Sequence, residues 1–125
     1  MKTLCRLATV ALLLLPLFAG RAATAADPAR GESLFTSRCG ACHSLDTDRV
    51  GPRLGGVYGR PAGSVDGYGY SAALRGSGLV WDDATLDGWL AGPFAYLPGA
   101  LMPFAVSVAA DRDDIIAFLR VQAAR

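Results

Sequence analysis

Two cysteines and the only histidine of the chain stand within five consecutive positions. Cys39 and Cys42 are three residues apart, and His43 directly follows the second cysteine. On a helix or helical turn these positions are i, i+3 and i+4, so the three side chains point toward one region. Two thiols and an imidazole could bind zinc, form a redox-active dithiol or attach a haem covalently.

Zinc and dithiol chemistry each lack part of what they need. A structural zinc site takes four ligands, and from Asp27 onward the chain has no cysteine or histidine beyond this motif. A carboxylate could complete the set, but no second half-site spacing is present. A disulfide exchanger would place its Cys-x-x-Cys after a buried strand of a βαβ unit, and the sequence contains no such pattern.

Covalent haem requires nothing further from the chain, because Cys-x-x-Cys-His is the attachment sequence of c-type haem. The thiols of Cys39 and Cys42 would add to the two vinyl groups, and the imidazole of His43 would then lie over the iron. We therefore predict one covalently attached haem c.

The other axial position of the iron decides the function. An open position would allow gas binding or peroxide chemistry, whereas two strong protein ligands make an electron carrier. Met102 is the only methionine besides Met1 and lies in the loop "YLPGALMPF", away from any predicted apolar helix face. A lone methionine often just fills a core, but its uniqueness and loop position favour a thioether ligand.

Residues 1–26 have the features of a secretory signal peptide. Lys2 and Arg6 precede an apolar run over residues 7–19 that Pro16 interrupts, and small residues follow. Such a run is too short to span the ~30 Å hydrocarbon core of a membrane. We predict cleavage after Ala25 or Ala26, a mature domain of residues 27–125, and export to the bacterial periplasm, where haem is attached.

The composition of the mature chain excludes some partners. From Asp27 onward, nine arginines and no lysine stand against eleven acidic residues, which leaves a net charge of −2. A mildly acidic chain without basic runs is a poor candidate for nucleic-acid binding. The domain is also near the size at which a hydrophobic core alone is only modestly stabilising, and a large cofactor would supply the missing core volume.

The sequence predicts an all-α domain. We predict three to four helices joined by long loops, with no convincing strand. The helices should run from Asp27-Pro28 to about Arg38, from Ser71 to Arg75, from Asp82-Asp83 to a stop at Gly92-Pro93, and from Asp111 to near the end. Residues 44–69 and 93–106 should be loops, and the first of these is long enough to need something to wrap around.

The ordered set of motifs resembles the class I, mitochondrial-type cytochromes c and their bacterial relatives, nearly from end to end. The matching positions are Gly31, Phe35, "CGACH" at 39–43, "GPRL" at 51–54, Gly59-Arg60, "GYGY" at 67–70, Trp81, "YLPG" at 96–99, "MPF" at 102–104 and "IIAFL" at 115–119. The resemblance implies the cytochrome c fold, wrapped around one covalently bound haem c.

The resemblance also implies residue roles. His43 and Met102 would be the axial ligands, and the carbonyl of Pro52 would accept a hydrogen bond from the His43 ring. The residues Arg60, Tyr70 and Trp81 would hydrogen-bond or neutralise an inner haem propionate, with plain core packing as the alternative for the two aromatics. Gly31 and Phe35 would pack against Ile115 and Phe118 where the terminal helices cross.

Three positions depart from the mitochondrial pattern behind the methionine. Mitochondrial members commonly have an Asn, a Tyr and a Thr there, and this chain has Leu74, Trp89 and Ala100. We predict a drier pocket in which the Met102 sulfur lacks the usual tyrosine partner, although the Trp89 indole could still donate a hydrogen bond.

A second departure concerns partners. Mitochondrial members surround the haem edge with lysines, and this chain has none there. The positions flanking the methionine are instead Phe94, Ala95, Leu97, Leu101 and Phe104, with Arg38 and Arg53 as a reduced basic rim. Docking to redox partners would therefore be more apolar and less salt-sensitive, unless these side chains merely pack the loop over the haem.

Together these observations predict a monomeric periplasmic carrier that moves one electron at a time between redox proteins and is not an enzyme. One alternative is a haem subunit of a lasting dehydrogenase or oxidase complex. The other is a ligand-binding or peroxidatic haem protein in which Met102 is displaced from the iron.

Overall fold

The computed structural model describes residues 24–125. Most of the predicted signal peptide, residues 1–23, lies outside the described residues. The helices are α1 Pro28–Leu34, which continues as a wider π-helical turn Phe35–Cys39, then α2 Ala72–Arg75, α3 Asp83–Ala91, α4 Pro93–Tyr96 and α5 Ala109–Ala123. Within residues 24–125 the β pairing consists of one isolated antiparallel bridge between Pro61 and Val80. The all-α prediction is confirmed.

Short polar side chains begin the first three helices, as the sequence predicts. The Asp27 carboxylate accepts hydrogen bonds from two backbone N–H groups at the start of α1. The Ser71 hydroxyl accepts from the Leu74 N–H at the start of α2. Asp82 and Thr85 each accept from the other's backbone N–H, which forms a capping box at the start of α3. These bonds satisfy backbone donors that have no partner inside the helix.

Two helix boundaries differ from the prediction. The prediction of a loop over 93–106 is wrong at its beginning, because Pro93–Tyr96 forms the single turn α4. Proline fits the first position of a helix, where its missing N–H costs nothing. The last helix also begins at Ala109 rather than Asp111, so that Asp111 falls in its first turn.

The terminal helices α1 and α5 cross at Gly31. A Cβ built on Gly31 would lie 1.9 Å from the backbone oxygen of Asp114 and 2.9 Å from the Phe118 Cβ. One turn further, the Phe35 ring packs on the Phe118 ring with 5.3 Å between centroids. The predicted packing is confirmed, and the mid-helix glycine is explained by the close approach of the two backbones.

A group of charged residues ties the same two helices together, and the sequence did not reveal it. Arg30 forms ion pairs with both Asp111 and Asp114. Arg38 reaches Asp111 at 2.9 Å, and the backbone N–H of Asp27 donates to Asp114 at 2.7 Å. Both α5 carboxylates are buried. We call Asp27, Arg30, Arg38, Asp111 and Asp114 the terminal charge cluster.

Candidate functional site

The three residues of the opening motif lie on a helical turn that directly continues α1. In the π-helical turn, the Gly40 N–H donates to the Phe35 carbonyl at 3.0 Å, five residues back. After it, the N–H groups of Cys42 and His43 both donate to the Cys39 carbonyl, at 3.0 and 2.8 Å. The predicted convergence is confirmed, because all three side chains line one cavity.

That cavity has a volume of about 560 Å³ and mostly apolar walls, which is the size and character of a small-molecule or cofactor site. It brings together residues from every part of the domain. All of the predicted site residues line it: Cys39, Cys42, His43, Pro52, Arg60, Tyr70, Trp81, Trp89 and Met102.

The His43 ring is held by the backbone that follows it. Its Nδ1 lies 2.7 Å from the carbonyl oxygen of Pro52, the hydrogen bond that the resemblance implies. A Cβ on Gly51 would lie 2.2 Å from the ring Cε1, so only a glycine leaves room for the ring there. Burial lowers the pKa of His43, and the bond to Pro52 partly opposes this shift. The ring is therefore favoured in its neutral, metal-binding form.

The two thiols are free and differ in environment. Cys39 is half-buried and Cys42 is exposed. Burial raises the pKa of Cys39 to about 11, although the nearby Arg38 guanidinium acts in the opposite direction. Reactive dithiols have lowered thiol pKa values, so this environment does not suit a disulfide exchanger.

Arg60 and Tyr70 offer hydrogen-bond donors toward the cavity. The two terminal nitrogens of Arg60 donate to the carbonyls of Gly55 and Arg53, at 3.1 and 3.2 Å. Its Nε is buried and has no protein partner. The Tyr70 oxygen accepts from the Val65 N–H at 3.3 Å, which leaves its hydroxyl proton available. A buried unpaired donor normally implies a missing acceptor.

The region behind the methionine loop is apolar and aromatic. Leu74, Trp89 and Ala100 are all buried, and the Trp89 ring meets the Trp81 ring edge-on with 5.5 Å between centroids. This packing supports the expected drier pocket, since the two indoles fill space that polar side chains would otherwise share with water.

The loop that carries Met102 is fixed at both ends. At its start the Tyr96 ring packs on α3, where a Cβ on Gly88 would lie 2.3 Å from that ring. At its end the Val106 N–H donates to the Leu90 carbonyl at 2.7 Å. Met102 itself is partly buried against the core. The sequence gave no sign of the contact between Gly88 and Tyr96.

The edge of the cavity carries exposed apolar side chains. Val50, Leu101 and Phe104 line the cavity and are respectively 77%, 71% and 43% exposed. We call these three residues the apolar edge. The expected basic rim is weaker than predicted, because Arg38 is paired with Asp111 and Arg53 with Asp48.

These residues fit a covalently bound haem. The cavity is mostly apolar, and two thiols, a backbone-oriented imidazole and a thioether all line it. The unpaired Arg60 Nε and the free Tyr70 proton suit a carboxylate such as a propionate. Among the helices within residues 24–125, none is long and apolar enough to cross a membrane.

Comparisons with known proteins agree with this geometry. The sequence model of the family described as "Cytochrome c" matches residues 28–122. The chain is 45% identical to "Cytochrome c" of Euglena viridis over 97 residues, which are 75% of this chain and 95% of that protein. It is 44% identical to "Cytochrome c2" of Rhodomicrobium vannielii over 102 residues, 78% of this chain and 81% of the relative.

A solved structure is similar as well. Cytochrome cH from Methylobacterium extorquens superposes with a TM-score of 0.72 at 46% sequence identity. The match covers 76% of this chain and 98% of that one.

Proposed function

We propose that this chain, which belongs to the cytochrome c family, shuttles single electrons between redox proteins of the bacterial periplasm. Members of this family bind one covalently attached haem c and carry electrons. In the proposal, His43 and Met102 are the axial ligands of the haem iron. The observation that carries the proposal is that Cys39, Cys42, His43 and Met102 line one apolar cavity.

The bound haem supplies a one-electron couple, and the protein residues set its conditions. The carbonyl of Pro52 fixes the orientation of the His43 ring and raises its basicity as a ligand. As an iron ligand, the thioether of Met102 would favour the ferrous state and so raise the midpoint potential. If His43 and Met102 both bind the iron, no coordination site would stay open for a substrate, as a carrier requires.

The propionate end of the cofactor needs compensation if it is buried. Arg60 holds its guanidinium in place with two backbone carbonyls, which leaves Nε for an anion. Tyr70 adds a hydroxyl proton, and Trp81 lines the same cavity. A buried carboxylate is costly without such partners, so these residues both retain the haem and stabilise its charge.

We propose that redox partners dock on the apolar edge. Val50, Leu101 and Phe104 are exposed at the cavity, while the nearby Arg38 and Arg53 are already paired with carboxylates. Residues 24–125 contain no lysine with which to steer toward an acidic partner. The rate of electron transfer to a purified partner should therefore change little as salt rises. A steep fall with ionic strength would contradict apolar docking.

Location in the periplasm rests on the predicted signal peptide at residues 1–26 and on the need for haem attachment outside the cytoplasm. The relevant measurement is cell fractionation of the producing bacterium, followed by haem staining. Haem-containing protein in the periplasmic fraction is expected, and its recovery from the cytoplasm would contradict export.

The carrier proposal is tested with carbon monoxide, which binds ferrous haem only at an open axial position. The reduced native protein should not bind carbon monoxide, whereas Met102→Ala should. Binding by the native protein at neutral pH would instead favour the ligand-binding or peroxidatic alternative.

The apolar edge also favours a second candidate, a haem subunit of a lasting dehydrogenase or oxidase complex. Permanent interfaces are more apolar than transient ones. Gentle extraction followed by gel filtration distinguishes the two, since a free carrier elutes at its own mass and a permanent subunit elutes with its partner.

A further inference from the structure

The backbone nitrogen of Asp27 lies in an unusual place for an ordinary amide. It donates a hydrogen bond to the Asp114 carboxylate at 2.7 Å, across 87 positions of sequence. The same residue caps α1 with its side chain, and its carbonyl accepts from the Gly31 N–H, so all three of its polar groups are hydrogen-bonded. Asp27 is also the first residue after the second of the two predicted cleavage positions, and residues 24–26 before it are exposed.

Before signal-peptide cleavage, the terminal charge cluster has a net negative charge. Its carboxylates belong to Asp27, Asp111 and Asp114, and its cations are Arg30 and Arg38. Three negative charges stand against two positive ones; the buried Asp111 and Asp114 carboxylates are paired with the two guanidiniums, and the excess negative charge is that of the exposed Asp27 side chain. A further cation beside the buried Asp114 carboxylate would balance this excess. The charges that share a small pocket with Ala26 are those of Asp113, Asp83 and Arg120; the last two form an ion pair, so the exposed Asp113 adds one further negative charge.

We propose that the mature chain begins at Asp27 and that its new α-ammonium forms a salt bridge with Asp114 that locks α1 onto α5. Hydrolysis of the Ala26–Asp27 peptide bond consumes one water and leaves a carboxylate on Ala26 and an amine on Asp27. That amine is protonated at neutral pH. This inference rests on the export component of the proposed function.

The two possible cleavage positions differ in what they give the cluster. Cleavage after Ala26 converts a neutral N–H donor into an ammonium at the atom that already contacts Asp114, and the cluster becomes neutral. Cleavage after Ala25 leaves the Asp27 nitrogen a neutral amide and places the ammonium one residue earlier, up to about 3.6 Å away. The Ala-x-Ala pattern at 23–25 fits cleavage after Ala25, whereas cleavage after Ala26 has Thr24 and Ala26 at the corresponding positions. Both sets are small residues, so the leader sequence permits either bond.

A charge-assisted hydrogen bond is about twice as strong as a neutral one. The ammonium also lies near the start of α1, where the helix dipole disfavours positive charge. This cost is smaller than the gain from the charge-assisted hydrogen bond. We expect the net gain to raise the equilibrium constant for folding about threefold to tenfold.

The first test is the intact mass and N-terminal sequence of the holoprotein purified from the periplasm of a bacterial host. A chain that starts at Asp27 is expected. A chain that starts at Ala26 overturns this inference but not the proposed export. A chain that keeps its leader overturns both.

The second test compares two holoproteins that begin at Asp27 and at Ala26, each released from a cleavable fusion. Denaturant unfolding should give the chain that begins at Asp27 a folding equilibrium constant about threefold to tenfold larger. In Asp114→Asn the two chains should become equal, and in the matched control Asp113→Asn the difference should persist. A difference below about twofold, or the same difference in Asp114→Asn, would overturn the salt bridge.

Discussion

Gly51 is the position at which a single methyl group should damage the site most directly. In Gly51→Ala the new Cβ would lie 2.2 Å from Cε1 of the His43 ring and 2.6 Å from both ring nitrogens. Ordinary carbon contacts lie near 3.5–4.0 Å, so the ring must move by more than about 1 Å. That movement breaks the 2.7 Å hydrogen bond between Nδ1 and the Pro52 carbonyl.

Two costs add to the loss of stability. Inserting a methyl group into a packed interior costs about 1–3 kcal/mol, and losing one hydrogen bond costs about 1 kcal/mol. We therefore expect Gly51→Ala to lower the free energy of unfolding by about 2–4 kcal/mol. Because the imidazole also moves relative to the iron, the midpoint potential and the absorption spectrum should change as well.

Guanidinium unfolding of the holoprotein, together with spectra of both oxidation states, measures these effects. Gly92→Ala is the matched control, because the nearest atom to its new Cβ is at 3.9 Å and its φ of 177° suits any residue. Gly92→Ala should change stability by less than about 1 kcal/mol. If Gly51→Ala unfolds at the wild-type denaturant concentration with unchanged spectra, the backbone does not hold the ring as described.

Three further predictions follow from the packing, the charges and the pocket. Gly31→Ala should destabilise the protein by about 1–3 kcal/mol despite the better helix propensity of alanine, because its Cβ would lie 1.9 Å from the Asp114 backbone oxygen. Denaturant unfolding should show a smaller loss for Gly88→Ala, because its Cβ meets a side chain, the Tyr96 ring, rather than backbone. The hydrogen bond from the Asp27 N–H and the Arg30 guanidinium lower the pKa of Asp114 from its usual 3.8. The Asp114 carboxylate therefore contributes to the free energy of unfolding above that pH, and this contribution is lost as the pH falls through the lower, folded-state pKa. The acid unfolding curve of Asp114→Asn should lack this component, and a curve identical to that of the wild type would contradict it. Trp89→Tyr should shift the midpoint potential, since a hydroxyl enters an apolar pocket beside the methionine loop, and an unchanged potential in voltammetry would show pocket polarity to be irrelevant.

Local signals explain why the sequence predicted most of the helices. Asp27, Ser71 and Asp82 cap their helices through contacts within four residues, and such contacts are visible in the sequence. The attachment motif is equally local. The proposed role of Met102 rests on its uniqueness, its loop position and the family resemblance.

What the sequence did not reveal depends on contacts between distant segments. The pairing of Arg30 and Arg38 with the carboxylates of α5 joins residues more than seventy positions apart. In the sequence, those carboxylates have the pattern of ordinary polar positions on an amphipathic helix. The close packing of Gly88 on Tyr96, and the single turn α4 that creates it, likewise depend on how two helices meet.

The optical spectrum of the purified ferric holoprotein shows whether Met102 binds the haem iron. Sulfur-to-iron charge transfer gives a weak band near the far red. The band should be present in the native protein, absent in Met102→Ala and retained in the control Gly92→Ala. A native ferric protein without this band, or a Met102→Ala protein that keeps it, would contradict ligation by Met102.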